Sequence, residues 1–220
     1  MNIAKAIDHT LLKPDATADD IRRLCTEARE FGFFSVCVNS SWIRLATREL
    51  EGSGVAVAAV TGFPLGAMST AAKAFETEQA VRDGATEIDT VLHVGRLRDG
   101  DRAYVLHDLQ AVVQAAGPAR VKVILETCLL SDDQKREACA ISVESGAAFV
   151  KTSTGFSTGG ATLEDVRLMV AAVAGRAEVK ASGGIRDLAA AQAMLAAGAT
   201  RLGTSNGIAI VHGQPVSGGY

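Results

Sequence analysis

The feature that most constrains the fold is an alternation, repeated eight times along the chain, of a short strand-like run and a segment with helical patterning. The run at 55–60, which reads Val-Ala-Val-Ala-Ala-Val, is apolar at every position, as is typical of a parallel strand covered on both faces. The connections are short, and no stretch has the composition of a linker. This pattern predicts an α/β fold, a single-domain (β/α)8 TIM barrel over residues 1–220, in preference to an open sheet.

The element boundaries follow from turn and capping residues. The predicted strands are 7–12, 33–39, 55–60, 87–92, 120–126, the stretch that begins at 149, 179–182 and 201–205. The predicted helices are 17–28, 40–50, 70–82, 102–116, 131–146, 163–174, 187–197 and 207–211. The glycine-rich segment 213–220 is predicted to be a short flexible tail. Its last residue, Tyr220, is a substrate-binding candidate if the tail folds over a pocket, and a disordered tail is the alternative.

Composition narrows the classes of partner. The formal net charge of -3 gives no strong field of one sign, so nucleic acid and anionic membranes are not expected partners. The N-terminal segment carries charge where a signal peptide would be apolar, and the apolar run 55–68 is interrupted before it reaches the length of a membrane span. The four cysteines and four histidines lack metal-ligand spacing, which predicts reduced thiols in a cytoplasmic protein that uses no metal and no cofactor.

Two lysines carry the sharpest chemical signal. Lys151 ends an apolar run, and Lys180 lies in a similar stretch, at the same depth of the neighbouring strand in the predicted barrel. Side chains alternate along a strand, so if Val150 packs on the helices, Lys151 points into the barrel, and the same parity places Lys180 inside. A free lysine amine, with a pKa of about 10.4, is protonated at neutral pH. Burial and a like-charged neighbour both favour the neutral amine, so we predict that Lys151 is a nucleophile.

Other side chains of the barrel interior are expected to balance or surround the charge of the two lysines. Asp89, at the centre of the fourth predicted strand, is expected either to neutralise the lysines or to move protons. Asp8 is a candidate for positioning a substrate hydroxyl, and a turn residue before a helix is the equal alternative. Lys122 and Glu126 share a strand face and are expected to form a structural ion pair. Cys37 is a substrate-binding candidate at the pocket rim, with a packed core thiol as the more common case.

Three glycine-containing segments predict an anion site. They follow the sixth, seventh and eighth strands, at 155–160, 182–184 and 203–206. Glycine lets the backbone approach a ligand closely, and phosphate sites in barrels often use the loops after strands seven and eight. Ordinary tight turns are the alternative reading. The candidate phosphate-binding residues are Gly155, Gly183, Gly184, Gly203 and Ser205.

Five motifs, in order along the chain, carry a family resemblance. They are IDHTLLK at 7–13, EID at 87–89, FVKTSTGF at 149–156, VKASGGI at 179–185 and GTS at 203–205. Together they resemble the deoxyribose-phosphate aldolases. The resemblance implies a metal-independent class I aldolase that splits 2-deoxy-D-ribose 5-phosphate into acetaldehyde and D-glyceraldehyde 3-phosphate, in an enzyme that forms dimers or tetramers.

The resemblance also implies roles for single residues. Lys151 matches the Schiff-base lysine, Asp89 and Lys180 match the groups that exchange protons, and Thr152, next to the lysine, is a further substrate-binding candidate. Tyr220 matches a terminal tyrosine that assists proton transfer in some relatives, while His93 stands where many relatives have Asn. Two alternatives remain open at this point: a Schiff-base barrel aldolase for another phosphorylated sugar, and a phosphosugar-binding barrel without catalysis.

Overall fold

The computed structural model describes residues 2–214 and has one closed barrel of eight parallel strands. The strands are β1 (Ile7–Leu11), β2 (Ser35–Asn39), β3 (Ala56–Thr61), β4 (Glu87–Val91), β5 (Arg120–Ile124), β6 (Phe149–Lys151), β7 (Glu178–Ser182) and β8 (Arg201–Thr204). Each strand pairs with the next, and β1 pairs with β8 to close the ring, with Asp8 beside Gly203. The predicted TIM barrel is confirmed.

Helices connect the strands. They are α1 (Ala18–Phe31), α2 (Ile43–Glu49), α3 (Thr70–Arg82), α4 (Val94–Arg98), α5 (Arg102–Ala116), α6 (Asp132–Glu144), α7 (Leu163–Val173), α8 (Leu188–Ala196) and α9 (Gly207–His212). Single 3-10 turns lie at Ile3–Ala6, Ser40–Trp42 and Thr127–Leu129. Within residues 2–214 no helix is long and apolar enough to cross a bilayer.

Local capping explains where the helices begin and end. Thr17 and Asp20 form a capping box at the start of α1, because each side chain accepts the other residue's backbone N–H. Gly32 ends α1 in the left-handed region, at φ 65°, where glycine has no side-chain penalty. Ser131 and Gln134 form the same kind of box at α6. The predicted tail 213–220 lies mostly outside the described residues, and Tyr220 lies wholly outside them.

Alternation along the strands divides the interior into two environments. Outward side chains such as Val150, Val179 and Leu202 pack under the helices in the main hydrophobic core. Inside the barrel, Cys37, Ala58 and Val60 of β2 and β3 form a small apolar cluster with Leu12. The inward positions of β4 to β8 and of β1 carry charges instead, namely those of Asp8, Glu87, Asp89, Lys122, Lys151, Lys180 and Arg201. One half of the barrel interior is therefore apolar and the other half ionic.

Candidate active site

A cavity of about 340 Å³ opens at the carboxyl ends of the strands. Its walls are residues of the loops that follow β6, β7 and β8, together with Thr10 and Leu12 at the end of β1. Lys151 lines it, and the side chain of Lys151 is otherwise almost completely buried, with 4% of its surface exposed. The barrel thus presents one amine to a space large enough for a small molecule.

The two predicted lysines meet on a single oxygen. Lys151 Nζ and Lys180 Nζ each lie 2.8 Å from Oδ2 of Asp89. The two nitrogens are therefore separated by no more than twice that distance. Lys122 Nζ contacts the other oxygen, Oδ1, at 2.7 Å. Asp89 is consequently surrounded by three lysines from β5, β6 and β7.

Beneath Lys151 the charges form a closed ring, which we call the charge ring. It consists of Asp89, Lys122, Glu87, Arg201, Asp8 and Lys180, with acids and bases alternating. Lys122 lies 2.7 Å from Glu87, and Arg201 Nη1 lies 2.9 Å from both Glu87 and Asp8. The contact between Asp8 and Lys180 closes the ring. Three carboxylates balance three bases, so the ring is neutral when all its members are ionised, and Lys151 stands outside it.

Burial and charge act in opposite directions on the members of the ring. Burial alone would raise the pKa of Asp89, but Lys122, Lys151 and Lys180 hold that pKa well below its usual range. Likewise burial would lower the pKa of Lys180, but Asp8 and Asp89 raise it above its ordinary value. Lys180 is therefore an ammonium and Asp89 a carboxylate at neutral pH. At Lys180 the two carboxylates thus outweigh burial, an effect that the sequence analysis did not include.

Comparison with known proteins identifies the family. A family model described as DeoC/LacD family aldolase matches residues 2–213. The chain belongs to this aldolase family. It is 57% identical over 221 residues to a deoxyribose-phosphate aldolase of Brevibacillus brevis, covering 100% of each chain, and 54% identical over 220 residues to one of Geobacillus sp., covering 100% of this chain and 99% of the relative. A solved tetrameric deoxyribose phosphate aldolase from Aeropyrum pernix matches with a TM-score of 0.89 at 34% identity, over 96% of this chain and 89% of that one.

The family membership confirms two predictions from the sequence. The resemblance to deoxyribose-phosphate aldolases is confirmed by relatives that match over the full length. The prediction of an enzyme, a carbon–carbon lyase of the aldolase type, is confirmed with it. As a DeoC/LacD aldolase, the chain acts on small molecules, and the cavity lined by Lys151 is large enough to hold one.

The glycine loops of this aldolase surround the cavity as expected. All five candidate phosphate-binding residues line it: Gly155, Gly183, Gly184, Gly203 and Ser205. Gly203 leaves room for the charge ring, because a Cβ there would lie 3.0 Å from Cε of Lys180. Gly160 lets two loops touch, since a Cβ at that position would lie 2.4 Å from the carbonyl oxygen of Gly183. Arg186, an exposed cation on the rim, also lines the cavity, and sequence reasoning missed it.

Three substrate-binding candidates lie away from the cavity surface. Asp8 is fully buried beneath it, in the second position of β1, where it contacts Lys180 and Arg201. Cys37 is fully buried in the apolar cluster, where burial and the neighbouring Asp89 raise the pKa of its thiol to about 11. The hydroxyl of Thr152 donates to the carbonyl of Ser182 and accepts from the N–H of the same residue, so it joins β6 to β7. None of these three side chains is among the cavity-lining residues of the described chain.

The predicted ion pair between Lys122 and Glu126 is wrong. Strand β5 ends at Ile124, and the chain turns at Glu126 into the left-handed region, at φ 55°. Both oxygens of Glu126 then accept from Thr154, one from its backbone N–H at 3.2 Å and one from its hydroxyl. Lys122 points instead toward Glu87 and Asp89. Glu126 therefore anchors the loop after β6 and is not part of the charge ring.

Sequence reasoning also missed two members of the ring, Glu87 and Arg201. Glu87 stands two positions before Asp89 on the same strand, so strand parity alone places both carboxylates on the inner face. Arg201 opens β8 two positions before Gly203, and the same rule points it inward. The signal was therefore present, but it was hidden because a charge at the start of a strand usually lies on the surface.

Proposed function

We propose that this aldolase is a class I enzyme that reversibly cleaves 2-deoxy-D-ribose 5-phosphate into acetaldehyde and D-glyceraldehyde 3-phosphate, in the breakdown of deoxyribonucleotides. The observation that supports this most directly is the placement of Lys151. Its amine faces the cavity, contacts the carboxylate of Asp89 and stands outside a neutral ring of charges. A lysine amine that opens onto such a cavity can reach the carbonyl carbon of a bound substrate.

The reaction begins at Lys151. Its neutral amine adds to the C1 aldehyde of the open-chain sugar, and loss of water from the adduct leaves an iminium that withdraws electrons from C2. Removal of the proton from the C3 hydroxyl, by Asp89 or through a water, breaks the bond between C2 and C3. D-Glyceraldehyde 3-phosphate departs as the aldehyde, the electron pair of the broken bond forms the C1–C2 double bond, and an enamine on Lys151 remains. Protonation of the enamine at C2 and addition of water release acetaldehyde and restore the amine.

Asp89 and Lys180 support these steps from below the cavity. Asp89 is a carboxylate in the resting site, because its three lysine neighbours depress its pKa. It therefore orients Lys151 and Lys180 and relays protons with water entering the cavity. Lys180 remains an ammonium, whose charge next to Lys151 opposes a second positive charge there.

The phosphate binds far from the reacting bond. The backbone of the loops at Gly155, Gly183 and Gly203 can approach an anion closely, and Arg186 adds a positive charge at the rim. Binding energy from this remote group holds C1 against Lys151 and thereby supports the chemistry. A sugar without phosphate is expected to react more slowly for this reason.

Covalent trapping tests the proposal. Acetaldehyde and borohydride should attach a reduced two-carbon adduct to the protein, and peptide mass spectrometry should place it on Lys151. The Lys151→Ala variant should lose both the adduct and the cleavage activity, whereas Lys5→Ala, which removes an exposed lysine, should keep them. A full yield of adduct on Lys151→Ala, or no adduct on the wild-type chain, contradicts the proposal.

We also propose that the enzyme is a homo-oligomer, either a dimer or a tetramer. Six exposed apolar residues on the loop before α3 and on its first turns form one surface, which we call the α3 patch: Leu65, Ala67, Met68, Ala71, Ala72 and Phe75. Leu65 is 78% exposed and Phe75 is 65% exposed. The patch carries no charge, so a second copy can meet it in a symmetric contact without opposing like charges.

The remaining expectations about partners and location belong to this proposal as well. The partners are small phosphosugars and aldehydes, without nucleic acid or membrane. A cytoplasmic location is supported by the four cysteines, all of which are free thiols and three of which are buried.

A further inference from the structure

The charge ring extends well below the cavity, to groups that the proposed reaction does not use. Glu87 and Arg201 form its far side and contact neither Lys151 nor the cavity lining. Arg201 is 4% exposed, and its guanidinium lies 3.4 Å from the centroid of the Phe34 ring, at the opposite end of the barrel from the substrate. Burying an arginine and a glutamate there is costly unless they serve the ionic network.

We propose that Glu87 and Arg201 are positioning residues that set, through the charge count of the ring, the pH at which Lys151 becomes a free amine. The inference rests on the proposed role of Lys151 as the Schiff-base lysine. With Glu87 and Arg201 both ionised, the ring is neutral and offers Lys151 no net counter-charge. Removal of either charge would change this balance, in opposite directions for the two residues.

The balance is fixed because each member of the ring is bound on both sides by opposite charge. Glu87 Oε2 lies 2.7 Å from Lys122 and 2.9 Å from Arg201. Arg201 in turn reaches Asp8, which also contacts Lys180. Opposite charges within this distance favour the ionised form of every partner. Among the ion pairs of the described residues, Lys151 has a single acidic partner, Asp89, whereas each base of the ring has at least two.

All eight strands contribute to this network or its surroundings, and β6 carries Lys151 itself. Asp8 comes from β1, the neutral thiol of Cys37 from β2, Glu87 and Asp89 from β4, Lys122 from β5, Lys180 from β7 and Arg201 from β8, while β3 presents only Ala58 and Val60. The buried carboxylate of Glu126 faces Thr154 near the cavity, and Arg186 is at its exposed rim. Because the members of the ring are buried, a change of one charge among them reaches Lys151 with less screening than at the surface.

The test is the pH dependence of kcat/KM in the full-length enzyme, whose acidic limb reports protonation of the free enzyme. Glu87→Gln removes a negative charge, which disfavours the ammonium of Lys151 and should move the acidic limb to lower pH. Arg201→Gln removes a positive charge, which favours the ammonium and should move the limb to higher pH. Each shift should be about one pH unit, as for a unit charge roughly 10 Å away at an effective dielectric constant of about 20. At pH values below the acidic limb, a shift of one pH unit changes kcat/KM by roughly tenfold from the wild-type value, when each enzyme is scaled to its own plateau.

Control variants separate the effect of a side chain's charge on the acidic limb from the effect of its shape. Arg201→Lys and Glu87→Asp keep the charge but alter the geometry, so their acidic limbs should stay at the wild-type pH even if their plateaus fall. The double variant Glu87→Gln with Arg201→Gln restores the balance and should return the limb to the wild-type position. Ionisation of the substrate phosphate is the same in all variants, so it cancels in the comparison. If one of the two single variants does not fold, the other still tests the inference, because the direction of its shift is predicted separately.

Two results overturn the inference. One is a shift in the same direction for Glu87→Gln and Arg201→Gln, and the other is an unmoved acidic limb in a folded variant of either kind. Failure of the proposed function gives a different result, since the wild-type chain would then form no borohydride adduct on Lys151. If the adduct forms on Lys151 but the acidic limbs of the variants do not move, the proposed aldolase reaction is supported and only the role of Glu87 and Arg201 is rejected.

Discussion

Burial sorts the four cysteines into one accessible thiol and three protected ones. Cys128 is exposed, beside the hydroxyl of Ser157 on the cavity wall, whereas Cys25, Cys37 and Cys139 are buried. Burial raises the pKa of the thiol of Cys139 to about 12. Burial also raises those of Cys25 and Cys37 to about 11, with a further contribution from Glu49 and Asp89 respectively.

We expect iodoacetamide at pH 8 to label Cys128 first and the buried three far more slowly. A thiol with a pKa near 11 is only about one part in a thousand thiolate at pH 8, and the thiolate is the nucleophile. Peptide mass spectrometry over a time course measures the order of labelling. Cys128→Ser should remove the fast phase, and labelling of Cys37 at the rate of Cys128 would contradict this order.

Single residues also show the limit of what the sequence could predict. Strand parity was sufficient to point Lys151 and Lys180 into the barrel, because alternation is a local property. The charge state of Lys180 was not predictable in this way. It depends on Asp8, which is 172 positions away in the chain and reaches Lys180 only because β1 closes onto β8. A local pattern contains no information on which distant side chain will neutralise a buried charge.

At the scale of elements, a second buried ion pair holds α3 against α5. Lys73 and Asp108 are both fully buried, with Nζ 2.7 Å from Oδ2. Lys73 also donates to the carbonyl of Val91, at the end of β4, at 2.9 Å, and Thr70 donates to the second oxygen of Asp108. The pair therefore ties two helices to the strand that carries Asp89.

We expect Lys73→Met to lower the free energy of unfolding by about 3–5 kcal/mol, because it leaves the carboxylate of Asp108 buried without its partner. Denaturant unfolding followed by circular dichroism measures the loss. The matched control is Lys73→Met combined with Asp108→Leu, which replaces both charges by apolar groups and should recover most of the stability. A single variant as stable as the wild type would show that Asp108 is satisfied without the lysine.

The elements predicted best are those with local stop and start signals. The bounds of α3 and α5 agree with the sequence prediction, since Ser69 and Asp101 cap them and glycine follows each of them closely. Helix α4 was missed in the segment between the predicted strand 87–92 and the predicted helix 102–116. It has only five residues and depends on His93, whose Nδ1 accepts the backbone N–H of Arg96. Strand β5 was predicted two residues too long, because its end is set by the contact of Glu126 with the distant Thr154.

For the whole molecule, the alternation of strands and helices was sufficient for the barrel, since eight short parallel units with apolar strands have few other ways to bury both faces. The division of the barrel interior into an apolar half and an ionic half could not be predicted from this alternation. The charge ring combines groups from five strands, and only the closed register of the barrel brings Asp8, Glu87 and Arg201 into contact. Closure of the barrel therefore creates the site as well as the fold.

Assembly is the remaining property of the whole molecule, and the α3 patch makes it testable. We expect Phe75→Lys to lower the molar mass measured by light scattering after size exclusion, because a lysine on each copy would place two like charges in a symmetric apolar contact. The mass of the wild-type chain should be a multiple of the 22.8 kDa protomer.

The control for this experiment is Leu129→Lys, which places the same charge on another exposed apolar residue, 41% accessible and outside the α3 patch. That variant should keep the wild-type mass, so a decrease in Phe75→Lys alone assigns the contact to the patch. If both variants keep the mass of the wild-type assembly, the subunits meet through another surface. A wild-type chain that runs as a monomer would remove the patch from any role in self-association.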